Sequence, residues 1–192
     1  MIGAAMHLAV AAFTPWFVER GVNVEIARTK DQIPWIRGTF ELPVPPEQVL
    51  TVVSDFGRYK EIFAPALERA TVLEKGQDSV RLHMVWPYPA PLRDRDAVVV
   101  YTLERLEDGV TLLKWKDEAR PGDPKKGVRI KHVEGETRIE PASGGTRVTY
   151  TYVGDLGGKF PASVNERVWR GEPIGYMQAL RRAVGLPLLK KE

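Results

Sequence analysis

The sequence predicts an α+β domain: a curved antiparallel sheet wrapped around one long C-terminal helix. Three observations predict it. Period-two alternation recurs from about residue 35 to residue 153, interrupted by turn residues. Two short helical patterns, over 46–53 and 58–63, follow the first well-defined strand. After Gly157 and Gly158 the period changes: Phe160, Val164, Val168, Met177, Leu180 and Val184 recur at roughly helical spacing, with Glu166, Arg167, Arg170, Arg181 and Arg182 between them. A long, one-sided helix after a run of strands needs a sheet to lie on, and a curved sheet leaves a cavity beneath the helix.

Taken in order, residues 16–20 read as the end of a short helix stopped by Gly21. Val22, Val24 and Ile26 alternate with polar residues as a short strand, and 35–44 form a better one, ended by Pro43, Pro45 and Pro46. Pro46 opens a helix whose apolar side is Val49, Leu50, Val52 and Val53. Ala70, Val72 and Leu73 lead through a turn at 76–78 to Val80, Leu82, Met84 and Trp86 on one strand face. Residues 97–106 are the most apolar strand and turn at Glu107-Asp108-Gly109 into 110–115. A loop over 119–127 precedes a last hairpin, 128–140 with 146–153. Pro161 suits the first turn of the final helix, and Pro173, between Gly171 and Gly175, reads either as a fixed kink or as a point where the helix shifts to admit a ligand.

The chain of 192 residues is read as an N-terminal apolar segment, 1–15, and one domain over 16–188. Residues 2–13 are apolar apart from His7, too short to span a bilayer, and lack a charged n-region. They read as a capping helix or as part of an export leader, which would separate a cytoplasmic protein from an exported one. The net charge of +3 without a concentrated basic stripe argues against a nucleic-acid partner. No cysteine is present, so disulfides, thiolate metal sites and cysteine nucleophiles are excluded. His7, His83 and His132 show no metal-ligand spacing, and no nucleophile elbow or phosphate-cradling glycine loop appears. Neither a catalytic residue nor a metal or cofactor is assigned.

Four stretches carry a resemblance to the START-type, Bet v 1-like and polyketide-cyclase-like lipid-binding superfamily (SRPBCC). Pro45-Pro-Glu-Gln-Val49 leads to Asp55-Phe-Gly-Arg-Tyr59; Pro91-Leu-Arg-Asp-Arg-Asp96 is similar to that family's entry to its central strand; Gly145-Thr-Arg-Val-Thr-Tyr150 resembles its last strand; and Gly157-Gly-Lys-Phe-Pro161, with Asn165, Pro173 and Leu180, resembles its last helix. The resemblance implies a helix-grip fold with a tunnel between sheet and helix, and a hydrophobic small-molecule or lipid ligand that is bound or transferred. It also implies an alternative, an aromatase/cyclase enzyme using the same cavity. Two departures weaken a sterol ligand: Gly135 is followed by Glu136 where bacterial members often have Trp, and Tyr101 stands where cholesterol-binding members place an Arg.

Strand alternation and helical spacing nominate the lining: Met84, Trp86, Val99, Tyr101, Trp115 and Tyr150 from the sheet, and Phe160, Val164, Val168 and Met177 from the helix. The same residues would equally form a packed core. Arg129, two-residue alternation from Val133 and Ile139, is expected to point inward, where it needs a carboxylate or an anionic ligand. Tyr101, Arg129 and Asp96 would be the groups available to an enzyme. Lys125, Lys126, Arg129 and Lys131, with Lys190 and Lys191, suggest transient contact with an anionic membrane surface or an ordinary solvated face.

Overall fold

The computed structural model describes residues 12–28, 33–157 and 162–191, with side chains of the last helix described from residue 168. The described strands are β1 (Thr14–Glu19), β2 (Val22–Ala27), β3 (Trp35–Leu42), β4 (Arg69–Lys75), β5 (Ser79–Trp86), β6 (Arg95–Arg105), β7 (Thr111–Asp117), β8 (Val128–Arg129), β9 (Lys131–Ala142) and β10 (Gly145–Asp155). The helices are α1 (Pro46–Ser54), α2 (Tyr59–Ile62) and α3 (Ala162–Ala183). The strands run β1-β2-β3-β10-β9-β7-β6-β5-β4 in one antiparallel path, with β8 pairing parallel to the start of β6. The fold is the α+β helix-grip architecture, a curved sheet around the C-terminal helix.

The alternating pattern converts directly into two faces. Leu82, Met84, Ala97, Val99, Tyr101, Leu113, Trp115 and Val148 point toward α3 and join Val49, Val53, Ile174, Met177 and Leu180 in the main core. α1 begins at proline, whose absent N–H costs nothing in a first turn, and buries Val49 and Val53. Among the described residues no helix is long and apolar enough to cross a membrane.

Residues 16–20 are not a helix end. They belong to β1, paired with β2 through a tight turn in which Arg20 (φ 51) and Gly21 (φ 72) are both left-handed. Two consecutive left-handed residues make the turn whose twist matches a hairpin, so the glycine closes a strand pair. The segment 1–11 lies outside the described residues.

The proline within α3 is buried against the sheet. A Cβ added to Gly38 of β3 would stand 2.4 Å from the Pro173 Cβ, so the side chain's absence permits the closest approach of helix to sheet. On the cavity side, Gly171 and Gly175 leave room: a Cβ at either meets nothing within 4 Å.

Candidate functional site

Between α3 and the inner face of the sheet lies a cavity of about 800 Å³. That volume is in the range of small-molecule sites. Its walls are largely aromatic. Tyr101 leans on Trp115 at 5.9 Å between centroids, Trp115 stacks on Tyr150 at 5.5 Å, and Tyr150 stacks on Tyr152 at 5.1 Å and on Tyr176 at 4.1 Å. Phe63 after α2 stacks on Tyr176 at 5.5 Å and closes the band. Offset aromatic contacts of this kind hold ring positions as well as burying area.

The hydroxyls on this band are mostly committed. The Tyr152 hydroxyl donates to the Trp169 carbonyl at 2.9 Å, Tyr176 shares a 2.9 Å hydrogen bond with Thr137, Tyr101 reaches the Met84 sulfur at 3.9 Å, and Tyr59 donates to the Val53 carbonyl. The Tyr150 hydroxyl has no hydrogen-bond partner among the described residues. Burial pushes all of these phenols above their ordinary value.

Two charged side chains stand on the wall. Arg95, at the start of β6, donates from Nε to the Leu156 carbonyl at 3.0 Å and from Nη2 to the Gly157 carbonyl at 3.3 Å, and lies 5.2 Å from the Tyr88 ring centroid. It ties the inner strand to the chain entering α3. Glu172 on α3 also lines the cavity, and among the described residues it makes no hydrogen bond or ion pair. Burial alone pushes its carboxyl up to about 7.

Six of the nominated residues line the cavity: Met84, Trp86, Tyr101, Trp115, Tyr150 and Val168. Val99 and Met177 are fully buried in the core and do not line it. The reason for Met177 is angular. At about 100° per residue, nine steps from Val168 place it on the opposite side of the helix. Val168, Glu172, Gly175 and Ala179 make the cavity face, while Met177, Leu180 and Val184 make the core face. Phe160 and the Val164 side chain lie outside the described residues.

Arg129 does not point inward. The strand is interrupted at Ile130 between β8 and β9, and His132 is left-handed (φ 55), so alternation is not carried from Val133 back to Arg129. Arg129 turns instead to Asp96 on the sheet face away from α3, donating from Nε to Oδ1 at 3.1 Å and from Nη2 to Oδ2 at 2.8 Å. Asp96, wholly buried, is also 2.8 Å from His83 Nε2 and accepts the Lys126 backbone N–H at 3.0 Å. Burial raises the Asp96 carboxyl, but these hydrogen bonds outweigh it and hold the group below the ordinary carboxylate range. Tyr101, Arg129 and Asp96 therefore do not converge on one site.

Sequence reasoning missed Glu172, Tyr152, Tyr176, Thr137 and Arg95 as lining residues. Glu172 carried a signal: four positions after Val168 and four before Tyr176, it interrupts an otherwise apolar helical stripe. No group of acidic or histidine side chains placed to hold a metal occurs among the described residues.

A helix gripped by a curved sheet over an aromatic cavity defines a class of ligand-enclosing domains, and sequence comparison names the family. The model described as polyketide cyclase / dehydrase and lipid transport matches residues 36–185, so the chain belongs to that family. No curated protein matches the sequence. Among solved structures, a STAR-related lipid transfer protein fragment from Xanthomonas axonopodis is similar, at 21% identity and TM-score 0.80, over 90% of this chain and 98% of that one. Human StAR-related lipid transfer protein 5 aligns at 19% identity and TM-score 0.81, over 91% of this chain and 87% of that one. The Zhui aromatase/cyclase from a Streptomyces species aligns at 16% identity and TM-score 0.53, over 79% of this chain and 91% of that one.

Proposed function

We propose that this domain binds, and passes on, a hydrophobic small molecule of lipid type enclosed between α3 and the sheet. The cavity of about 800 Å³ with its aromatic wall carries the reading. Removing an acyl chain from water contributes roughly 25 cal/mol per Å² of apolar surface, so retention needs no catalytic group. Family membership and the likeness to lipid transfer proteins support the same reading.

Native mass spectrometry and dye displacement test it. Wild type should bind an environment-sensitive hydrophobic dye and carry an extractable apolar compound. Val168→Trp, which fills the cavity from the helix, should lower dye affinity at least about tenfold without unfolding the protein. Equal binding by a folded Val168→Trp protein would overturn the proposed location. Met177→Trp is not an equivalent test, because Met177 belongs to the packed core.

Conversion of the ligand, as in an aromatase/cyclase, is favoured by one observation. Glu172 holds a carboxyl near 7 inside the cavity, a value suited to moving protons. A carrier returns its ligand unchanged; an enzyme releases a new compound.

Membrane contact is proposed at the cavity mouth, where Leu188 is 53% exposed beside Lys191. The basic run over 125–131 is partly committed elsewhere: Lys126 pairs with Glu68 and Asp94, and Arg129 with Asp96.

A further inference from the structure

The geometry points to Glu172 and the Tyr150 hydroxyl as the polar end of the cavity, taking a ligand whose head donates a hydrogen bond, a hydroxyl or amino group, in preference to one ending in a carboxylate or phosphate. This rests on the cavity reading above and adds the chemistry of the ligand's head.

The inference begins from what is left over. A carboxylate accepts hydrogen bonds and cannot donate them, so a Glu inside an apolar wall needs a donor. Most other polar groups at the cavity have a partner within the protein, the Arg20 Nε apart, which is buried without a hydrogen bond 3.9 Å from Glu19. The Tyr152, Tyr176, Tyr101 and Tyr59 hydroxyls all have partners, and Arg95 has carbonyl acceptors. Glu172 and the Tyr150 hydroxyl have none among the described residues. The two share one cavity: Tyr150 stacks at 4.1 Å on Tyr176, which follows Glu172 by about one turn of α3. An unpaired acceptor beside an unpaired hydroxyl is complementary to a head that donates to the first and bonds to the second. An anionic head would bring a second negative group toward Glu172 within a largely apolar cavity.

The surroundings leave Glu172 as the group that titrates near neutrality. From the β5–β6 loop Tyr88, and from β10 Tyr150 and Tyr152, feel its charge, and all three phenols are raised and stay protonated. The Arg95 guanidinium acts on Tyr88, whereas the upward shift of Glu172 has burial as its cause. On the helix itself, Arg170 is turned over the Phe17 ring at 4.3 Å, and Tyr176 is bonded to Thr137. From the β1–β2 turn, Glu19 and Arg20 line the same cavity as a pair 3.9 Å apart. Arg182 donates to the Ile62 carbonyl at 2.8 Å, and Lys191 stands at the exposed tail.

Reciprocity then gives the test. A donor head binds the ionised Glu172 more tightly, and an anionic head binds it less tightly. Decanol, decylamine and decanoate are titrated against the dye-loaded protein at about pH 6 and about pH 8. The affinity ratio of decanol to decanoate should rise about tenfold between the two conditions in wild type, the scale of one charge-assisted hydrogen bond. Decylamine should move with decanol. In Glu172→Gln, which keeps the shape and cannot ionise, the ratio should be independent of pH. A ratio that does not move in wild type, or moves equally in Glu172→Gln, overturns the assignment of Glu172, and the wild-type ratio needs no variant to fold. Failure of wild type to bind the dye at all would overturn the cavity reading itself.

Discussion

Asp96, wholly buried on β6, and Glu172, partly buried on the cavity side of α3, have opposite fates. Asp96, on the sheet face away from α3, accepts from Arg129, from the Lys126 N–H and sits against His83. Glu172, on the cavity side, has no partner among the described residues. The first carboxyl is held below the ordinary range and the second is raised to about 7. A fully satisfied buried charge belongs to the architecture, here fastening the loop after β7 and strand β8 to the back of β5 and β6. An unsatisfied one is a cost that a ligand can relieve.

The largest effect should come from breaking the satisfied cluster. Asp96→Ala removes the wholly buried acceptor shared by His83, the Lys126 N–H and the partly buried Arg129, and should cost about 3 kcal/mol in urea unfolding. A cost near zero would mean that the cluster is not a fastening.

The pH dependence of the two carboxyls should run in opposite directions. Glu172 has an ordinary value of 4.5 and a folded value of about 7. Across that window the folded protein keeps a proton that the unfolded chain has released, so this contribution to stability falls as pH rises. The loss is on the order of 2 kcal/mol, reduced because the side chain is not wholly withdrawn from water. Asp96 is lowered, so its contribution is present above the ordinary carboxylate range and is lost as pH falls through its folded value. Thermal unfolding of Glu172→Gln should lack the downward slope toward neutrality and keep the acid limb.

The smallest effect should come from a carboxylate that is paired but exposed. Glu41 accepts from Arg147 at 2.9 Å, with both side chains about half in solvent. Glu41→Gln should change unfolding free energy by less than about 0.5 kcal/mol. A cost comparable to Asp96→Ala would remove burial as the explanation of the contrast.

Much of this was legible in local patterns. The alternation of Leu82, Met84 and Trp86 located β5 and its inward face, and Glu107-Asp108-Gly109 marked the β6–β7 turn. Pro46 marked the start of α1. The misreadings also have local causes. Residues 16–20 are too few for period to separate helix from strand, and only pairing with β2 decides it. Extending the alternation of β9 back to Arg129 fails at the left-handed His132, a turn that no residue type announces. Met177 shares a roughly helical spacing with Val168, but nine residues at about 100° each set the two on opposite sides of the helix.

The order of elements from β2 onward, the two-faced character of the strands and the one-sided final helix follow from local residue patterns, because periodicity is a property of neighbouring residues and backbone geometry. Which apolar residues face empty space and which face each other is settled by packing, since a lining residue and a core residue have the same composition and differ in what lies opposite. The same holds for the charges. Asp96 and Glu172 are alike in chemistry, and the distinction between a fastening and an open acceptor comes from partners tens of residues away, brought to one carboxyl by the fold and withheld from the other.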